Sequence, residues 1–207
     1  MKLYHGTSIG GLRSLKPHQA DHDQPYIYLS LLKAVASFYM VNAVERPYYW
    51  FPYGFTELGI PIYEELYPNA LKEISANRLG FIYIVETDEQ HVAPFRNIPH
   101  SRISTDELEI IECTRISDCY SYFEKEQKKG NLIINRFESK SEDDLERWYD
   151  LISKYLEDNA FIKRPRCSYS LFIKEKFPHI WDRYESKMKK KDEHLELEQT
   201  ALNAGTT

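Results

Sequence analysis

At 207 residues, with 42% hydrophobic and 29% charged side chains, the chain has the length of one domain and the composition of a globular protein able to bury roughly 70% of its unfolded surface. A net charge of −5 and a pI near 5.8 provide no field that would hold polyphosphate chains nonspecifically, which excludes a dedicated nucleic-acid scaffold and leaves room for a local patch. Cys113, Cys119 and Cys167 are odd in number and lack CxxC or Cys/His ligand spacing, so they read as reduced, mostly buried thiols. The apolar run Ala34–Val41 is far short of the ~20 residues of a membrane span. A cytoplasmic protein without a membrane partner is expected.

Lys2–Tyr4 predicts a short strand running into His5-Gly6, and Ser8-Ile9-Gly10-Gly11 predicts a turn. After a polar loop at Gln19–Pro25, Tyr26–Ser30 alternates as a strand. A helical pattern through Ala34, Val35, Phe38 and Val41 follows, stopped by Arg46-Pro47. Residues 47–68 are rich in proline and aromatics without clear periodicity and read as an ordered insertion, with a short helix at Asn69–Ala76. Gly80–Val85 is the strongest strand, being rich in β-branched and aromatic residues. Leu108–Ile116 predicts another strand, Asp118–Lys129 a helix ended by Gly130, and Leu132–Phe137 a short strand. Ser141 followed by three acids opens a helix carrying Leu145, Trp148, Ile152 and Tyr155. A second helical pattern runs through Ile173, Phe177, Ile180 or Trp181, Tyr184 and Met188. Residues from about 189 read as a charged, mobile tail.

Several residues on these elements suit a planar, ribose-bearing ligand. His5 can set a neutral imidazole against a sugar hydroxyl while Gly6 lets a backbone approach closely, and Thr7 or Ser8 adds a hydroxyl. Equally, a strand-end histidine can be satisfied by a backbone carbonyl. Tyr28 and Tyr39, eleven residues apart on a strand and the helix after it, can flank a flat heteroaromatic ring or form a core edge. Glu107 and Glu109 share one strand face, with Leu108 and Ile110 on the other. Such a carboxylate pair can oppose a developing positive charge or simply face solvent. Tyr48, Tyr49, Trp50, Phe51, Tyr53 and Phe55 in the insertion can stack a base, grip a partner or pack on the sheet. The basic runs at 163–166 and 187–191 read as solvated helix flanks.

In order and spacing, His5-Gly6-Thr7, Tyr28, Tyr39 and Glu107 resemble the ADP-ribosyltransferases of the histidine-tyrosine-glutamate type, the group of diphtheria-toxin-like toxins and poly(ADP-ribose) polymerases. The resemblance covers about residues 1–116. It implies NAD as co-substrate and no metal. His5 would bind the adenosine-side ribose, Gly6 the nicotinamide carboxamide, and Tyr28 and Tyr39 the two faces of the nicotinamide ring. Glu107 would hold the nicotinamide ribose and stabilise its cation as nicotinamide leaves, with Glu109 the alternative acid. A hydroxyl residue common three positions before the second tyrosine is Ala36 here, so Ser37 is the expected substitute.

The expected fold is α+β, with a split, strongly bent central sheet and a cleft between the first two strands and the Glu107 strand. Residues 1–137 would form the catalytic domain with its insertion at 47–68, residues 138–188 a helical cap packed on it, and 189–207 the tail. The expected activity is mono-ADP-ribosyl transfer to a protein, nucleic-acid or small-molecule acceptor, as in a toxin, a phage-defence effector or a regulatory modifier, with an antitoxin-like partner. Alternatives are an NAD glycohydrolase, a transferase of the RNA 2′-phosphate type, and a catalytically silent binding module.

Overall fold

A computed structural model of the chain describes residues 1–19, 24–41, 53–96 and 98–204. It is a mixed α+β structure that divides into two compact units, the first holding the described residues up to Glu138 and the second those from Ser139 onward.

In the first unit, a six-stranded antiparallel sheet is built from β1 (Lys2–Thr7), β3 (Ile27–Ser30), β6 (Gly80–Glu86), β7 (Ala93–Pro94), β8 (Ser101–Ser104) and β10 (Glu112–Ile116), in the order β10-β6-β1-β3-β8-β7. Strand β6 is the longest, pairs on both edges and is buried on both faces from Ile82 to Val85, as its unbroken apolar run demands. One face packs Leu3, Ile27, Leu29, Tyr83 and Val85 against Leu15 and Leu108, which come from the two-stranded sheet of β2 (Ser14–Leu15) and β9 (Leu108–Glu109). Helix α1 (Lys33–Ser37) and its 3-10 continuation Phe38–Val41 follow β3, and the ring of Phe38 stacks on Phe123 at 5.4 Å and lies against Tyr63 at 5.8 Å. Those partners belong to α3 (Cys119–Lys128) and to β5 (Pro61–Glu64), the middle strand of a third sheet with β4 (Tyr53–Phe55) and β11 (Ile133–Asn135).

Helix α2 (Ala70–Ser75) is tied to this third sheet by Glu65, a carboxylate 1% exposed. It accepts from the Leu71 amide at 3.0 Å and the Arg136 guanidinium at 3.2 Å, and Arg136 also reaches Glu124 of α3. Asp118 caps α3 by accepting from the Ser121 amide, and Gly130 just past its end has φ of 76°, a conformation open to glycine without strain.

The second unit is helical. Helix α4 (Glu142–Asp158) begins at a Ser141 cap that accepts from the Asp144 amide at 3.2 Å and buries Ile152 and Leu156. Helices α5 (Ser168–Lys176) and α6 (Pro178–Ala204) together bury Ile173, Ile180, Trp181 and Tyr184, with Phe177 between them.

Several expectations are corrected here. The stretch Leu108–Ile116 is two strands in different sheets, because Ile110 and Ile111 carry the chain from β2 across to β6, where the Ile111 amide donates to the Ile84 carbonyl at 2.9 Å. The described part of the 47–68 insertion is a β-hairpin, its central Thr56–Ile60 turn closed by two backbone hydrogen bonds. The single helix anticipated over 173–188 is broken at Phe177-Pro178, since proline has no amide to continue the ladder and starts a helix instead. Backbone from 189 to 204, read as tail, continues α6. Of the three thiols only Cys119 is buried, and Cys113 is exposed. The helix end at Arg46-Pro47 and the aromatics at 48–51 lie outside the described residues.

Candidate functional site

Side chains alternate along β1, so His5 shares the face of Leu3 while Gly6 faces α1. The β1–β6 ladder runs unbroken from Lys2 to Thr7, with His5 opposite Tyr83. On its other edge β1 meets β3 at one pair only, Tyr4 and Ser30. Beyond that pair a side chain replaces the ladder: the Nδ1–H of His5 donates to the Tyr28 carbonyl at 2.8 Å. A carbonyl can only accept, so this contact fixes the tautomer and leaves Nε2 as an acceptor. Burial holds the His5 pKa below the ordinary 6.5, outweighing the opposing Tyr28 contact, and keeps the ring neutral near pH 7.

Gly6 is required by packing. A Cβ there would lie 1.8 Å from the carbonyl oxygen of Ala36, so α1 docks directly on the Gly6 backbone. Ala36 is buried, and Ser37 is fully buried with its hydroxyl donated to the Ala34 carbonyl at 2.6 Å. A carboxamide contact from Ser37 would have to displace that bond. Tyr28 is half-buried, its ring edge-on to His18, Tyr26 and Phe95. Tyr39 lies on the 3-10 turn and is 47% exposed.

The glycine-rich stretch after β1 is held flat on the sheet. Thr7 Oγ1 accepts from the Ile9 amide at 3.2 Å. The buried phenol of Tyr83 accepts from the Leu12 amide and donates to the Ile9 carbonyl, both at 3.1 Å. Gly10 sits on the Phe81 ring, where a Cβ would approach to 2.4 Å. Sequence reasoning missed Tyr83; a polar tip in the middle of an otherwise apolar, doubly paired strand was the available signal.

The acids lie on β9 and the turn before it. Leu108 is buried opposite Leu15, and Glu107 and Glu109 both turn outward, as their period-two spacing implies. Glu107 Oε1 accepts from Ser14 Oγ at 2.5 Å and lies 3.5 Å from Lys16 Nζ. The Ser14 hydroxyl, with help from Lys16, holds this exposed carboxyl below the usual range, so it is ionised at neutral pH. The turn into β9 is braced by His91, whose Nδ1 lies 2.9 Å from Asp106, and by Ser104, which donates to the His91 carbonyl and accepts from the Asp106 amide. This brace also went unread in the sequence.

The fold thus brings the His5 ring to the Tyr28 carbonyl where β1 and β3 part, with His5 on the face of Leu3, Ile27 and Leu29 and the alternating Tyr28 ring on the opposite face, where Gly6 meets α1. It lays the acid-bearing strand over the same sheet face as His5, with both carboxylates turned outward and that of Glu107 bonded to Ser14 of β2 rather than to His5. Among the described residues no three His, Cys, Asp or Glu side chains are grouped to hold a metal ion, and no helix is long and apolar enough to cross a membrane. No protein-family model, curated protein or solved structure matches the chain.

Proposed function

We propose that the protein is an NAD-dependent mono-ADP-ribosyltransferase acting on a macromolecular acceptor, and that its central sheet is the split sheet of that superfamily. The observation that carries this reading is the parting of β1 and β3 after Tyr4, with the His5 ring holding the opening by its bond to Tyr28. A neutral imidazole with Nε2 as acceptor suits a ribose hydroxyl, which has a proton to give. Gly6 beside it is buried under the Ala36 carbonyl, and the Tyr83-pinned loop follows β1 at that point. The NAD glycosidic bond supplies the leaving group. The chain's own part is to orient the dinucleotide through His5 and Gly6, stack the ring on Tyr28 or Tyr39, and set the ionised Glu107 against positive charge developing on the ribose. The fit is incomplete at Ser37, whose hydroxyl is already committed to Ala34.

The exposure of Glu107 favours one competing reading, a glycohydrolase in which water takes the place of the acceptor. Both are tested together by following nicotinamide release from NAD and transfer of labelled ADP-ribose to macromolecules. Glu107→Gln keeps the side-chain volume and removes its charge, so both activities should fall by about two to three orders of magnitude while NAD affinity changes within a few fold. Glu109→Gln should leave nicotinamide release intact and alter acceptor labelling alone. The reverse pattern would move the role to Glu109. Release without transfer to any macromolecule would identify the hydrolase, and a wild-type melting curve unmoved by millimolar NAD would remove the site itself.

A further inference from the structure

We propose that Ser14 is a positioning residue for Glu107, a role that rests on the transferase reading, and that its hydroxyl makes Glu107 rather than Glu109 the carboxylate presented to the ribose.

By sequence the two acids are equivalent. They share one strand face, both are exposed, and Leu108 between them is buried against Leu15. Strand β2 tells them apart. In its antiparallel ladder with β9, Ser14 stands opposite Glu109 and Leu15 opposite Leu108. The Ser14 hydroxyl passes over that direct partner and donates diagonally, to Oε1 of Glu107 at 2.5 Å. Lys16 Nζ adds its charge to the same oxygen from 3.5 Å. Among the described residues, neither the Glu109 carboxylate nor the second oxygen of Glu107 makes a side-chain hydrogen bond or ion pair.

A glutamate carboxylate swings on several rotatable bonds, so an exposed one samples many positions and opposes a developing cation in few of them. Anchoring Oε1 removes much of that freedom and leaves the lone pairs of Oε2 unused. A negative charge held in place before reaction stabilises positive charge without reorganising as the bond breaks. Glu109 has no such anchor. Serine suits the task better than lysine does, because its hydroxyl stands one bond from the Cβ of a strand residue whose neighbour Leu15 is fixed in the core. Lys16 is 71% exposed on a flexible stem, where water weakens an ion pair. The electrostatics agree, since the Ser14 hydroxyl does more than Lys16 to hold the Glu107 carboxyl below the usual range. In the reaction, nicotinamide leaves with the electron pair of its bond to the ribose while Oε2 faces the positive charge on the sugar without bonding to it. The acceptor's nucleophilic atom then bonds to C1 and gives its proton to solvent.

The test follows steady-state nicotinamide release from NAD by the full chain across pH, alongside carbon-13 NMR titration of the Glu107 carboxyl. Ser14→Ala should lower kcat about tenfold and leave the KM for NAD within about twofold, since it disturbs the aim of the acid and not the binding of the dinucleotide. It should also move the acid limb of the pH profile and the Glu107 titration together to higher pH. Ser14→Thr keeps the hydroxyl and suits a strand, so it should restore all three properties. Added to Glu107→Gln, Ser14→Ala should reduce the remaining release no further, because the residue it positions is already lost. A serine that merely supports the strand would lower the melting temperature in both backgrounds and leave the acid limb where it was. If Glu107→Gln abolishes release while Ser14→Ala leaves kcat and the acid limb unchanged, the positioning role is overturned and the transferase stands. An equal loss from Ser14→Ala with and without the Glu107 carboxylate would overturn that role as well. A wild type that releases no nicotinamide would remove the transferase, and the role of Ser14 with it.

Discussion

Gly6 and His5 are adjacent, yet different forces hold them. Gly6 answers to packing: Gly6→Ala puts a methyl 1.8 Å from backbone that has no side-chain freedom to yield, so α1 must shift off the sheet. We expect a loss of about 3 kcal/mol, the upper end for overpacking, read as a lowered urea midpoint, with any ligand response lost in consequence. His5 answers to one hydrogen bond on a half-buried ring, so His5→Ala should cost only about 1 kcal/mol and leave the fold cooperative. If the ring serves a ligand, NAD should no longer raise the melting temperature of that folded variant. A retained shift would return His5 to the role of a strand-end histidine satisfied by Tyr28. Cys119 is the chemically quiet thiol, fully buried and with its pKa pushed up to about 11 by burial, whereas Cys113 is open to solvent.

At the scale of elements, two side chains fasten pieces that their own sequences would not hold. The phenol of Tyr83 carries both hydrogen bonds to the loop after β1, so Tyr83→Phe keeps the packing on Phe81 and strands one amide and one carbonyl. The expected cost is about 1–2 kcal/mol, with faster hydrogen exchange at Leu12 while the β6 amides stay protected. Unchanged exchange at Leu12 would show that the glycine loop holds itself. Glu65 joins β5, α2 and the segment after β11 through the Leu71 amide and Arg136. Glu65→Gln should cost about 2–3 kcal/mol, since the carboxylate is buried while Arg136 is partly exposed and keeps Glu124 as a partner. Denaturation monitored by circular dichroism would measure it.

For the molecule as a whole, ionisation makes stability a function of pH with a definite sign. His5 has its folded pKa below the unfolded value, so its contribution is complete above about pH 6.5 and is lost as pH falls through the depressed value. Glu107, Asp118 and Asp144 are likewise depressed, each chiefly by a serine hydroxyl donating to the carboxylate, and their contributions fade at lower pH still. The melting temperature should therefore be flat above neutrality and decline in two stages on acidification, the earlier stage absent in His5→Ala. A single stage shared by both proteins would contradict the depressed histidine.

The sequence by itself determined the elements whose pattern is local. Gly80–Glu86 is a strand because its β-branched and aromatic run leaves no polar face, α3 begins at Asp118 and ends before Gly130, and α4 begins at Ser141, each by capping chemistry within a few residues. The outward pairing of Glu107 with Glu109 around buried Leu108 was equally legible, being a matter of period two. Tertiary structure alone decided the rest, because it depends on which distant segments meet. Nothing in Leu108–Ile116 says that its two halves join different sheets; Leu15 at one end and Ile84 at the other decide that. Nothing in His5-Gly6-Thr7 says that Ala36 will rest on Gly6, that β3 will part from β1 after Tyr4, or that a phenol seventy-odd positions away will hold the loop that follows. Local propensity is fixed by neighbours along the chain, whereas sheet partners, close backbone approaches and the tautomer of a histidine are fixed by neighbours in space.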